Sequence, residues 1–309
     1  MKSIVVLGLN VGCLATHRGL RERRDLQHYH LQTANLHGNS TDLQYYYVEA
    51  EIGTHRQKQS LILDTGSALA AVPCEAFCTS NSCGQHLHGL YDHSQSQKSQ
   101  LLNCKETLCQ CTEHEYCRFY QGYTEGSEYE GYIIKDQFYL GEAFHPFEDD
   151  FLYTFGCIKR ETNLFYTQKA DGILGMARRR DGRNDNMFEP IYEVMYEKGI
   201  IQERIFSLCM GMDGGYLQIG GFDATGHLEE HINWMHFKDT SQYRVSVLGM
   251  SINDHFMLGS DHYSVGFVDS GTTWTYLPEA LFEMVRTHFF TWFCVESSCM
   301  GKPVEHLSS

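Results

Sequence analysis

The sequence predicts an all-β-dominated chain with a few short helices, organised around two copies of one short signal. Two observations carry this. An Asp-centred signal occurs twice: SLILDTGSALA holds Asp64, Thr65, Gly66 and Ser67, and SVGFVDSGTTW holds Asp269, Ser270, Gly271, Thr272 and Thr273. The second Asp lies 205 residues after the first (64 to 269). In each copy, apolar residues lead to an Asp, a small hydroxyl residue, a Gly and another hydroxyl. A buried strand running into a tight loop gives this pattern: Gly accepts backbone geometry that a Cβ blocks, and hydroxyls bond nearby backbone and hold the carboxylate still. One copy is an ordinary turn sequence; two copies fed by apolar strands are much harder to reach by chance. The second observation is that aromatic and β-branched runs recur along the chain, whereas helical spacing marks two short stretches.

In chain order, Lys2 precedes a mostly apolar run from Ile4 to Ala15. It is too short to span a bilayer and has the length of a secretion signal's apolar core. Residues 1–15 are therefore expected to be a signal peptide, with a signal anchor as the competing reading; no other stretch reads as a membrane span. Residues 16–43 are polar, carry the run Arg21, Glu22, Arg23, Arg24, and lack apolar periodicity. Two readings stand side by side: a pro-segment whose basic groups cover an acidic cleft, and a disordered linker. Asn39-Ser40-Thr41 is a glycosylation sequon. From Tyr45, YYYVEAEIG and QKQSLIL read as strands joined by a turn at His55 and Arg56.

Cys74, Cys78, Cys83, Cys104, Cys109, Cys111 and Cys117 then fall within a polar stretch, which reads as a loop stapled by disulfides. Zinc is the alternative, since His86, His88, His93 and His114 are close by. Paired Cys-x-x-Cys knuckles are absent, so disulfides are preferred and no metal or cofactor is expected. CRFYQGYTEGSEYEGYIIKDQFYL reads as a hairpin turning at Thr124, Glu125, Gly126 and Ser127. Ile173 and Leu174 precede Gly175, and Arg178, Arg179 and Arg180 read as a solvated basic loop. Ile191, Val194 and Met195 suit a short helix after Pro190. IFSLCM and GGYLQIGG read as strands joined by a Gly-rich turn, without the Gly-Lys-Ser/Thr of a phosphate loop. Tyr243, Val245 and Val247 alternate with Arg244, Ser246 and Leu248 as in a strand, and Leu281, Val285 and Phe289 have helical spacing after Pro278.

Composition narrows the function. A formal net charge of −15 and a pI near 5.5 argue against a nucleic-acid partner and against anionic membranes, where phosphate repels the chain. Twelve cysteines point to an oxidising compartment.

The two Asp motifs, with the hairpin between them, resemble the pepsin-like aspartic proteases over roughly Tyr45 to Phe290. The YYYVEAEIG start, the cysteine-rich segment, the Tyr-x-Glu-Gly-Ser tip and the Gly156-Cys157 pair are closest to the plasmepsin V branch, with an insertion similar to that of nepenthesin-like enzymes. The resemblance implies a bilobal fold with a cleft between the lobes, Asp64 and Asp269 as the catalytic pair, and the hairpin as a flap. Residues 44–195 are then the N-terminal lobe and 196–309 a partial C-terminal lobe. The resemblance further implies substrate contacts at Gly66, Ser67, Tyr123, Thr124, Glu125, Gly126, Glu161, Gly271, Thr272 and Thr273, with Glu125 and Glu161 meeting a basic side chain near the cut. Ile173, Leu174 and Gly175 match a segment that packs beneath the first Asp loop. Two departures stand out. Ala71 occupies the place of the family's usual Trp, which normally bonds the flap Tyr. The chain also stops 40 residues after the second Asp (269 to 309), so the second lobe reads as incomplete. Removing Cys13 with a signal leaves an odd number of cysteines, so either a thiol such as Cys157 is free or a partner lies beyond this sequence.

Two carboxylates about 3 Å apart repel by roughly 5 kcal/mol at an effective dielectric of about 20, equivalent to about 4 pKa units. Such a pair keeps one proton at mildly acidic pH. The expected function is therefore an aspartic endopeptidase of the secretory pathway, monomeric, acting on an extended peptide or protein. The alternative is a truncated, inactive peptide-binding relative or an incomplete gene model.

Overall fold

The structure, a computed structural model, describes residues 5–8, 32–105, 109–111, 115–141, 151–178, 188–222, 235–237, 242–252, 255–259 and 265–292. Two compact units emerge: Met1–Tyr243 with Val268–Thr273, and Arg244–Phe267 with Trp274–Ser309. The second Asp motif thus belongs to the first unit's packing.

In the first unit the strands are β1 Val5–Gly8, β2 Gln32–Asn39, β3 Tyr45–Ile52, β4 Gln57–Asp64, β5 Ala71–Pro73, β6 Gln100–Leu101 and β7 Gln110–Cys111. They continue with β8 Cys117–Gly122, β9 Glu128–Leu140, β10 Leu152–Glu161, β11 Gly172–Gly175, β12 Phe206–Gly211 and β13 Gly214–Ile219. Among the described residues two α-helices lie between them, α1 Asn163–Thr167 and α2 Ile191–Glu197. All thirteen strands join one sheet, in the order β1-β12-β13-β2-β3-β4-β11-β5-β10-β9-β8-β7 with β6 on β9.

The sequence patterns explain the centre of this sheet. In β3, Val48, Ala50 and Ile52 are buried while their neighbours are half-buried, the period-2 signature of a strand with one packed face. From Gln59 onward β4 is buried on both faces, as a central strand must be when parallel β11 flanks it. Gly175 pairs with Asp64 in that register, so the apolar pair Ile173 and Leu174 runs beside the strand that delivers the first Asp. The turn between β3 and β4 falls at His55 and Arg56 as expected, with Arg56 at φ +50°. The helix expected after Pro190 is α2, which buries Ile191, Tyr192 and Met195.

Three expectations change. The linker read into 16–43 ends early: Gln32–Asn39 is β2, held by β3 on one side and β13 on the other, with Ala34 and Leu36 turned into the core. It turns only two residues inward, among polar neighbours, so no periodicity showed. The lobe boundary expected after 195 does not divide the packing either. β13 pairs with β2, and Phe206, Leu208, Leu217 and Ile219 join the first unit's core. Third, Cys157 is not free but bonded to Cys74. Of the expected signal, Val5–Gly8 pairs in parallel with β12; the remainder of 1–15 and Arg21, Glu22, Arg23 and Arg24 lie outside the described residues.

The disulfide reading of the insertion stands. Cys78 pairs with Cys83, Cys104 with Cys111 and Cys109 with Cys117. His86 and His88 bind carboxylates and His93 stacks on Phe77, so these three do not converge; His114 lies outside the described residues.

The second unit holds β14 Arg244–Ser246, β15 Gly249–Ile252, β16 His255–Gly259, β17 Val265–Phe267 and helix α3 Glu279–Trp292. β14 pairs with β17 and β15 with β16, both antiparallel. Leu281 is buried, whereas Leu248, Trp274 and Tyr276 are exposed. Among the described residues no helix is long and apolar enough to cross a membrane.

Candidate active site

Asp64 ends β4 and turns into a loop stitched to itself. The Gly66 N–H donates to Asp64 Oδ1 at 2.8 Å, and the Ser67 hydroxyl donates to Oδ2. Asp269 repeats the arrangement: the Gly271 N–H donates to Oδ1 at 2.9 Å and the Thr272 hydroxyl to Oδ2 at 2.6 Å. Each carboxylate is therefore held by the N–H two residues on and the hydroxyl three residues on.

The loops also hold each other. The Thr65 N–H donates to Ser270 Oγ at 3.1 Å, and the Ser270 N–H donates to Thr65 Oγ1 at 2.9 Å. The Thr65 hydroxyl donates to the Val268 carbonyl at 3.2 Å, and the Ser270 hydroxyl to the Leu63 carbonyl at 2.8 Å. Exchanging the two motifs leaves this set of bonds unchanged. The glycines are explained by the same crossing. A Cβ on Gly66 would stand 2.7 Å from Asp269 Oδ2, and one on Gly271 would stand 2.6 Å from Asp64 Oδ1. Each carboxyl group thus lies over the other motif's glycine, and close approach, more than an unusual φ, requires Gly there.

Support comes from below. The Met176 N–H donates to the Asp64 carbonyl at 2.7 Å, and the Ala177 N–H to the Ser67 carbonyl at 2.9 Å. Gly175 allows this contact, because its Cβ would meet the Ala68 and Leu69 backbone at 2.5 Å. Tyr243 ties the two sides: its hydroxyl donates to the Met176 carbonyl at 2.7 Å, and its own carbonyl accepts the Val268 N–H at 3.1 Å.

Asp64 is 1% exposed, while Asp269 is half-buried. Burial and then the Asp269 charge push the Asp64 carboxyl up to about 7, against the opposing bonds from Ser67 and Gly66. The site is built to retain a proton well above the ordinary carboxylate range.

The predicted hairpin is β8 and β9. The Tyr123 N–H donates to the Ser127 carbonyl at 2.9 Å, and the Gly126 N–H to the Tyr123 carbonyl at 3.0 Å, with Gly126 at φ +90°. The Tyr123 hydroxyl lies 3.3 Å from Asp64 Oδ2, 3.2 Å from Ser67 Oγ and 3.1 Å from the Tyr129 hydroxyl. The Phe165 ring packs on both tyrosines, with centroids at 5.1 and 4.8 Å. With Ala71 in place of a Trp, Tyr129 and Ser67 supply the anchor.

The structure gathers Asp64, Gly66, Ser67, Tyr123, Asp269, Gly271 and Thr272 at one place. Thr124, Glu125 and Gly126 are exposed at the hairpin tip. The Thr273 hydroxyl donates to the Gln44 carbonyl at 3.1 Å. Glu161 is a correction: it is 4% exposed, and its Oε2 accepts from the Gly84 N–H at 2.9 Å and lies 3.0 Å from His86 Nε2. It ends β10, and its N–H donates to the Ser82 carbonyl, so the side chain is sealed beneath the cysteine-rich loop instead of facing a substrate. Tyr129 and Tyr243 were missed. Tyr129 had a signal, the inward alternation Ser127, Tyr129, Gly131 along the second hairpin arm; Tyr243, one residue before β14, had none beyond the expected strand alternation.

Comparison with known proteins agrees with this geometry. A family model described as eukaryotic aspartyl protease matches residues 45–290. Aspartic protease 5 of Toxoplasma gondii is 30% identical over 295 residues, covering 77% of this chain and 29% of that protein. Plasmepsin V of Plasmodium falciparum is 30% identical over 192 residues, covering 61% of this chain and 31% of its own. The vacuolar aspartic protease of Candida albicans is 31% identical over 248 residues, covering 78% of this chain and 53% of the relative. The chain thus spans about half or less of the length of these relatives. Its motifs, their exchange-symmetric bonding and the family match lead to one statement: this chain belongs to the eukaryotic aspartyl protease family.

Proposed function

We propose that the chain is an aspartic endopeptidase in which Asp64 and Asp269 share one proton and activate water against a peptide bond. One observation carries this: two carboxyl groups, each seated over the other motif's glycine, with Asp64 1% exposed. The ionised member of the pair takes a proton from water as the water oxygen attacks the peptide carbonyl carbon. The protonated member gives its proton to the carbonyl oxygen. When the C–N bond breaks, the proton taken from water passes to the leaving nitrogen, and one hydroxyl of the tetrahedral carbon returns its proton to the pair as the C=O bond re-forms, so the pair again holds one proton. The proton belongs to the pair and not to one residue. Gly66, Ser67, Gly271, Thr272 and Thr273 border an extended peptide, and the hairpin from Tyr123 to Gly126 covers it.

Glu125, exposed at the hairpin tip, is placed to favour a basic side chain near the cut. Cleavage of an Arg-containing peptide is expected to exceed that of its Leu twin in wild type and to match it in Glu125→Gln; equal rates in wild type would remove this preference. The disulfides and the similarity to a vacuolar aspartic protease support a secretory-pathway lumen or a secreted protein. Asp64→Asn and Asp269→Asn are each expected to abolish hydrolysis while leaving the melting temperature within a few degrees. Pepstatin-type binding with no hydrolysis by the wild-type chain would instead favour a peptide-binding relative.

A further inference from the structure

His86 lies in the cysteine-rich insertion with a side chain 1% exposed, and both ring nitrogens face acceptors. Nδ1 is 3.0 Å from the Gln168 carbonyl oxygen and Nε2 is 3.0 Å from Glu161 Oε2. That carboxylate oxygen already accepts the Gly84 N–H, and Glu161 Oε1 makes no hydrogen bond among the described residues. A neutral imidazole has one N–H, so it would aim a lone pair at a carbonyl or a carboxylate. An imidazolium donates to both.

The two acceptors bracket a single segment. Glu161 ends β10, and Gln168 caps α1. The residues between them hold the hairpin. The Thr162 N–H donates to the Glu128 carbonyl at 3.0 Å, and the Glu128 N–H donates to Thr162 Oγ1 at 2.9 Å. Asn163 Nδ2 donates to the Gly126 carbonyl at 2.7 Å, and the Leu164 N–H to Ser127 Oγ at 3.2 Å. Phe165 packs on Tyr123 and Tyr129. Asn163 itself sits at φ +48°, a left-handed conformation that its surroundings must maintain.

We infer that His86, as an imidazolium, is a positioning residue for the hairpin: it ties Glu161 to Gln168 and so fixes the turn that holds Tyr123 near Asp64. The inference rests on the protease reading only where it treats the hairpin as a substrate cover. The charged groups facing His86 are Glu161 on β10 and Asp171 ahead of β11, both acidic. Burial disfavours the charged ring, but the bond and charge of Glu161, the Gln168 carbonyl and the Asp171 charge outweigh it, so His86 titrates above the ordinary imidazole range. The tether is therefore complete below the ordinary value of about 6.5 and is lost as pH rises through the higher folded value.

Amide hydrogen exchange on the whole chain tests this without relying on activity. Protection of peptides covering 122–130 and 161–168, corrected for intrinsic exchange, is expected to fall about tenfold or more as pH passes from 6 through the His86 titration, the scale of one charge-assisted hydrogen bond. His86→Gln keeps a donor toward Glu161 but cannot titrate, so its hairpin protection should be flat with pH. Glu161→Gln should move the wild-type transition to lower pH by about 1 unit or more, and the His86 ring proton resonance should report the same displacement by NMR. Flat protection in wild type, or a transition that survives unchanged in His86→Gln or Glu161→Gln, overturns the inference. Should His86→Gln fail to fold, Glu161→Gln with the NMR titration decides alone. Absence of hydrolysis would count against the endopeptidase reading and leave these exchange results standing.

Discussion

At the scale of single residues, the site depends on small groups held at short range. Tyr129 is buried and places its hydroxyl 3.1 Å from that of Tyr123. Tyr129→Phe keeps the ring contacts with Phe119 and Phe165 and removes that bond alone, a loss of about 1 kcal/mol, or roughly fivefold in kcat/KM. If the bond holds the hairpin over substrate, the change should appear mainly in KM. The proposed sharing of one proton by the aspartates predicts a different signature. Asp64 rises to about 7 through burial and the charge of Asp269. A raised carboxyl contributes its stability fully below its ordinary value, and that contribution fades as pH rises through about 7. Hydrolysis should fall across the same window, because the doubly ionised pair has no proton to give the carbonyl oxygen. A kcat that still rises from pH 7 to 9 would be incompatible with a proton-sharing pair.

At the scale of elements, β4, β11 and the two Asp loops behave as one object. The register of β11 on β4 puts Gly175 opposite Asp64, and the backbone beyond it supports the loop from beneath. Gly175→Ala should therefore lower stability by about 1–3 kcal/mol, as overpacking does, since its Cβ meets backbone at 2.5 Å and not a yielding side chain. Activity should fall with it, because the clash is with the Asp64 loop itself; thermal melts and rates on one preparation check both. Much of this element was legible. Asp, hydroxyl and Gly in fixed order name a loop, and Ile173-Leu174-Gly175 names its support. What stayed hidden was contact across long sequence separation. Nothing local marks Tyr243 as the residue that binds both the Met176 carbonyl and the Val268 N–H. Glu161 misled for the same reason: on its own strand it reads as a free acid, and only the folded insertion brings Gly84 and His86 to it. Gln32–Asn39 went unread because a strand with only two inward residues, Ala34 and Leu36, has almost no period to see.

At the scale of the molecule, cysteine content announced an oxidised, stapled loop, but counting thiols could not pair them. The bond from Cys74 to Cys157 leaves the insertion entirely: it joins the end of β5 to the middle of β10, which run side by side in parallel. Its span is 83 residues, against 5 for Cys78 to Cys83. Cross-linking removes denatured-chain entropy that grows with the logarithm of the loop, so the long bridge is worth about 4–5 kcal/mol and the short one about 2 kcal/mol. The double replacement Cys74→Ser with Cys157→Ser, which leaves no lone thiol, should therefore lower the urea-unfolding free energy by about 2 kcal/mol more than Cys78→Ser with Cys83→Ser. The pairs differ in what they fasten as well. Cys157 and Cys74 are both fully buried in the main core beside Tyr91 and Phe155, so their loss should loosen β5 against β10 and reach Asp64 through β11. The short bridge closes the loop that carries Ser82, whose carbonyl accepts the Glu161 N–H. Its loss should act first on the hairpin tether, raising exchange in 161–168 ahead of any change in global unfolding. Equal losses of stability from the two double variants, with no local change in exchange, would show that loop length does not govern what these bridges contribute.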